Sequence, residues 1–131
     1  MDFIRKILII AFAIGFLILW IPDLLQSRIQ QGFAQPNAPS SPARVLDANH
    51  FLMLMISYKE AAENYEKAYN LWYKQLDESE RGKTAYRTAF CFEKAGNEKK
   101  ARDWYNYYLK TFPKHIWYEQ GKARLDRLDA A

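Results

Sequence analysis

The chain has 131 residues, half of them hydrophobic, with a formal charge of +4 and a pI near 9.1; that length leaves room for one small domain. From Val45 onward 15 Lys and Arg are interleaved with 13 Asp and Glu, a solvated pattern that argues against a nucleic-acid-binding stripe. The single cysteine, Cys91, excludes an intramolecular disulfide and any cysteine-based metal cluster.

Residues 1–34 predict a transmembrane anchor and its juxtamembrane extension. Ile7 to Ile21 reads ILIIAFAIGFLILWI without a charge, behind Arg5 and Lys6 and ahead of Pro22 and Asp23. As a helix the run is about 22 Å long. It crosses a bilayer when Phe3, Ile4, Leu24 and Leu25 enter the interfaces, so that residues from about 4 to 25 meet lipid, with Trp20 as an interfacial aromatic. A secretory signal peptide has the same basic flank and run length, and Gly32-Phe33-Ala34 offers a small-residue cleavage site. That site lies about a dozen residues beyond the run, farther than such processing normally reaches, so a retained single-pass anchor is expected. With Arg5 and Lys6 before the span and Asp23 after it, the N-terminus is expected in the cytoplasm. The rest then lies outside the cytoplasmic (inner) membrane, in the periplasm for a bacterial source.

Residues 35–44, QPNAPSSPAR, carry Pro36, Pro39 and Pro42 at every third position. The segment predicts an extended, partly polyproline-like linker that lifts the domain off the bilayer.

Residues 45–131 predict an all-α domain. Tyr58, Ala61, Ala62, Tyr65, Ala68, Tyr69 and Trp72 recur at three- and four-residue spacings, which is helical periodicity. Ser57-Tyr58-Lys59-Glu60 has the spacing of a capping box, and it closes an apolar helix running from Leu46 to Ile56. Asp77 to Gly82 reads as a break. A third helix is expected from about Lys83 to Ala95, stopped by Gly96, and a fourth from Glu98 to Phe112, capped by Asn97 and stopped by Pro113. A fifth spans about His115 to Leu128.

Residues Gly82 to Pro113 resemble a tetratricopeptide repeat (TPR). Ala89 falls at the small residue of the first helix, Phe92 at its aromatic and Gly96 at the turn; Ala101, Tyr105 and Tyr108 take the second-helix packing positions. Ala85 stands where the pattern has tryptophan, and Tyr108 is larger than the usual alanine. Upstream, Ala61, Tyr65 and Ala68 repeat the second-helix signature. The interval from Ala61 to Ala101 is forty residues, and the excess over thirty-four predicts an extension of that helix through Leu76. Ala123 lies thirty-four residues after Ala89, so the last helix looks like the start of an uncompleted third repeat, serving as a cap. The phrase TFPKHIWYEQGKARLDRL is similar to the ends of repeat domains in membrane-anchored bacterial envelope proteins of the outer-membrane-assembly and Tol-Pal-associated kinds. The fold class implied is a single N-terminal transmembrane helix plus a short α-solenoid of about two and a half TPR-like hairpins.

No catalytic constellation is present: His50 and His115 lack carboxylates at ligand spacing, and GxGxxG, GxSxG, HExxH and Walker patterns are absent. The reading is therefore a non-enzyme without cofactor or metal. Aromatics make up 16% of the chain, more than five short helices can bury, and exposed Tyr and Trp are interface residues. In the family the first helices line a concave ligand groove. The resemblance places there Leu46, His50 and Met53 from the first repeat, Tyr86, Phe90 and Glu93 from the second, and Gln120, Arg124 and Arg127 from the last helix; Trp104, on another face of its helix than Tyr105 and Tyr108, is expected as an exposed second contact. Such a groove is apolar at one end and basic at the other. Tyr86 and Phe90 replace the polar residues by which chaperone-type members clamp a C-terminal carboxylate, so a hydrophobic segment of some acidic character is the expected ligand. The resemblance implies a membrane-anchored adaptor or assembly factor for protein partners in a membrane or envelope complex; the alternative is a permanent accessory structural subunit of an integral membrane complex.

Overall fold

The computed structural model of the chain describes residues 1–55 and 57–130. These form six helices, α1 (Asp2–Ala34), α2 (Ser41–Met55), α3 (Tyr58–Trp72), α4 (Glu78–Lys94), α5 (Glu98–Thr111) and α6 (Tyr118–Ala130), with no strand among the described residues. Every extensive helix–helix contact joins consecutive helices, which run antiparallel. Side chains also reach the next helix but one. Gln26 bonds Glu60, Lys100 and Trp104 bond Glu66, Tyr69 bonds Tyr107 and Arg124 bonds Tyr86, all at separations of 34 to 38 residues. The second half of α1 thus shares a layer with α3 and α5, while α2, α4 and α6 form the other.

Helix α1, about 50 Å long at 1.5 Å per residue, changes its surroundings along its length. It is long and apolar enough to cross a membrane, and its large hydrophobic side chains from Phe3 to Trp20, with Leu24, are exposed. Farther along, Ile29 is buried and Gly32 lies so close to α2 that a methyl group there would collide with Val45 Cγ2. Phe33 stacks on Trp72 with ring centroids 5.4 Å apart, and the Lys67 ammonium sits 4.3 Å from the Phe33 ring centre. The helix is unbroken across Pro22, whose missing N–H leaves one backbone carbonyl of the preceding turn without its helical donor.

Residues 35–44, expected to be extended, fold back onto the helices instead. Turns and bends occupy 35–40, and 41–44 already belong to α2. Ser41 Oγ donates to the Gln35 carbonyl at 2.7 Å, and the buried Trp72 indole N–H donates to the Pro36 carbonyl at 2.9 Å. Pro42 is tolerated because it lies in the first helical turn, where a backbone N–H has no intrahelical acceptor.

The helix boundaries follow local capping chemistry. Ser57 Oγ accepts the Glu60 N–H at 3.3 Å and Asn97 Oδ1 the Lys100 N–H at 3.2 Å, both as expected from the sequence, and Gly96 takes φ 84°, the left-handed conformation that ends α4. Ile56, the expected end of α2, lies outside the described residues. Helix α3 stops at Trp72 rather than Leu76, because the N–H groups of Gln75 and Leu76 both turn onto the Trp72 carbonyl. The segment 77–82, expected to break the chain, opens α4: Asp77 Oδ1 accepts the Glu80 N–H at 2.8 Å, and Gly82 lies inside the helix because the His115 ring packs against its Cα. Helix α6 begins at Tyr118, not His115.

Small and aromatic residues divide the core between them. Ala61, Ala68, Ala89 and Ala101 are fully buried where helices approach closely, and Tyr65, Tyr105, Tyr108 and Trp72 fill the space between. Asn49, also buried, is satisfied by donating to the Ala61 carbonyl at 2.9 Å and accepting from Asn64 Nδ2 at 3.1 Å.

Candidate interaction surfaces

The residues expected to line a groove divide into three groups. Tyr86, Phe90, Glu93 and Arg124 come together in one network between α4 and α6. Arg124 Nε donates to Tyr86 Oη at 3.2 Å, Arg124 Nη1 reaches both Glu93 carboxylate oxygens at 3.3 Å, and its guanidinium lies 4.6 Å from the Phe90 ring centre. Tyr105 Oη, from α5, donates to Glu93 Oε1 at 2.7 Å. Burial, then the bond to Glu93, raises the Tyr105 phenol well above its ordinary range, so it stays a donor. Tyr86 is only 9% exposed, packed among Tyr105, Tyr108 and Trp117. Its ring is therefore core, a correction to its expected free position: Tyr105, Tyr108 and Trp117 cover it, and Arg124 takes up the hydroxyl a ligand would have met. Phe90 and Glu93 stay partly exposed.

Leu46 and Met53 form the second group and are also buried, facing the interior of the α2–α3–α4 packing. That again corrects the expected open groove. His50 remains partly exposed between them. Burial, then the nearby charges of Arg87 and Lys83, holds its imidazole below the usual value. The third group, Gln120 and Arg127, is exposed on α6.

Trp104, expected as an exposed contact, is half-buried. Its indole N–H donates to Glu66 Oε2 at 2.8 Å, and its ring meets Tyr69 and Tyr107 edge to face at 5.3 and 5.6 Å. With Asn70 and Asp103 these rings line a shallow pocket of about 290 Å³ on the α3/α5 layer. Tyr107 is the exposed member. A larger depression of about 570 Å³ lies elsewhere, around Glu78, Ser79 and the α5–α6 turn.

His115 occupies that turn as a structural link. Its Nδ1 accepts from Tyr108 Oη at 2.7 Å and from the Trp117 N–H at 3.3 Å, and its Nε2 faces the Ser79 carbonyl at 3.3 Å. These fixed partners assign the tautomer protonated on Nε2. Cys91 is fully buried, and burial pushes its thiol up to about 12, the opposite of what a nucleophile requires.

Two residues linking alternate helices were not singled out in the sequence. Glu66 receives Lys100 and Trp104 from α5, and Arg87 reaches from α4 to within 5.6 Å of the Trp117 ring centre. The separation of Glu66 and Lys100 by 34 residues, one repeat interval, was the available signal. No protein-family model, curated protein or solved structure matches the chain.

Proposed function

We propose that this chain is a membrane-anchored TPR-like adaptor or assembly factor, not an enzyme, serving a membrane or envelope complex. The observation that carries the reading is the recurrence of contacts between alternate helices, within each layer, at 34 to 38 residues, the period of a helical-hairpin repeat, on a stack begun by α1. The exposed apolar half of α1 crosses the cytoplasmic membrane with its N-terminus inside. The helical domain stands on the outer face, periplasmic in a bacterium. A protein partner docks on the accessible part of the α2/α4/α6 layer, at His50, Phe90, Glu93 and the outer edge of Arg124, with Gln120 and Arg127 at its rim.

A photo-crosslinking amino acid at Phe90, introduced into the full chain in intact membranes, tests this. The proposal expects a discrete protein adduct at Phe90 and little at Lys110 on the opposite layer. Adducts at Lys110 alone would move the interface to the α3/α5 side, and none at either position would contradict an adaptor role.

The second reading, a permanent accessory subunit, is favoured by the packing of Gly32 and Phe33 against Val45 and Trp72, which gives the domain no loose tether on which to search. Stoichiometric co-purification of a complex after mild detergent extraction distinguishes it from a transient factor.

A further inference from the structure

We propose that the end of α2 forms a second membrane contact: Phe51, Leu54 and Met55 seat in the headgroup layer of the bilayer crossed by α1. The inference rests on the reading of α1 as a membrane span. These side chains are 54, 62 and 59% exposed, and at spacings i, i+3 and i+4 they share one helical face. The opposite face of α2, with Val45, Ala48, Asn49 and Leu52, is buried against α1 and α3. An apolar face left bare beside a packed one calls for an occupant.

The register of α1 and α2 identifies it. Gly32 opposes Val45, and the two helices run antiparallel. Met55, ten residues after Val45, therefore stands level with Pro22, ten residues before Gly32. Two observations agree with this register: Leu25 and Phe51 line one pocket, and apart from Gly15 the first partly covered residues of α1 are Ile21 and Pro22. The exposed face of α2 thus reaches the level of the last residues of the uncharged run, where Leu24 is also bare. Residues at that depth meet lipid headgroups and the first acyl carbons, where Phe, Leu and Met are favoured. Lys59, exposed at the start of α3, is placed to reach lipid phosphates. Two contacts, one spanning and one interfacial, fix the tilt and rotation of the domain on the membrane. They give the partner surface a set height and direction.

The test uses the full chain, with Cys91→Ala, in vesicles of phosphatidylethanolamine and phosphatidylglycerol. Single cysteines replace Leu54, Phe12 in the span, or Lys74 in the turn after α3, and each carries an environment-sensitive fluorophore. Thermal melts first confirm that each labelled variant is folded. A lipid bearing a nitroxide near its headgroup should quench the label at Leu54 about threefold more than that at Lys74, with blue-shifted emission, as an interfacial side chain requires. Quenching by an acyl-chain nitroxide at Phe12, together with a Leu54 label as solvated as Lys74, overturns the second contact and leaves the span intact. A Phe12 label untouched by lipid overturns both the span and the inference built on it.

Discussion

The two ends of the helical stack are closed by different physics. At the N-terminal end, α1 is held mainly by shape and apolar contact: Gly32 against Val45, Ile29 buried, and Phe33 flat on Trp72, with the Gln26 bond to Glu60 and an indole hydrogen bond to the Pro36 carbonyl beside them. At the C-terminal end, α6 buries Gly121, Leu125 and Leu128 but adds a set of polar links. Arg124 bridges Glu93 and Tyr86, and Arg102 reaches the Leu128 carbonyl at 3.0 Å and the Asp129 carboxylate at 3.3 Å. Apolar packing is insensitive to salt, whereas partly exposed ion pairs are screened by it. The α1 end is thereby the less salt-sensitive joint, and the α6 end the more salt-sensitive one.

Substitutions can break this contrast. Trp72→Ala should cost the most, about 3–5 kcal/mol, because it empties a fully buried site and removes the only side-chain donor to Pro36 among the described residues. Chemical denaturation of the full chain in detergent, followed by circular dichroism, measures it; a loss below about 1 kcal/mol would mean the joint is not packed as described. Gly32→Leu should cost about 1–3 kcal/mol by forcing α1 off Val45, and the same loss should appear at low and high salt. Arg124→Glu should cost about 1 kcal/mol, since it leaves Glu93 facing a like charge. Unlike the first two losses, that one should shrink in 0.5 M salt, at a concentration where the Debye length is only about 4 Å. Equal salt responses at both ends would erase the contrast.

The smallest effect concerns His50. Its folded pKa lies below the unfolded value of about 6.5, so the native state binds a proton less readily than the unfolded chain. Its contribution is complete above that pH and is lost as pH falls through the lower folded value. The melting temperature should therefore drop slightly more between pH 7 and 5 in the native protein than in His50→Gln; identical slopes would show that His50 is solvated.

Legibility in the sequence followed the range of the interaction. Ser57, Asn97 and Gly96 act within one turn of their own positions, and their roles were readable. Tyr65, Tyr105 and Tyr108 were readable as core because repeat spacing and burial coincide. The prolines misled because Pro42 fits a first helical turn as well as an extended segment, and only Trp72, thirty-six residues after Pro36, decides between them. Gly82 misled for a similar reason: it serves a close approach by His115, a residue thirty-three positions away. Of the expected groove, the shared face of Tyr86, Phe90 and Glu93 was legible from helical spacing. Its partial closure by Arg124 depends on how α6 docks, which no local pattern encodes.

Helix α1 continues without a flexible tether from its exposed apolar half into the helical stack. Hydrogen–deuterium exchange of the full chain in lipid nanodiscs tests it on the backbone amides of residues 26–34 and 44–48. The account predicts protection within about tenfold of that in α4 and α5, since these amides are helical and packed on the core. Complete exchange of both segments within seconds, with α4 and α5 still protected, would contradict it and restore a flexible linker between anchor and domain.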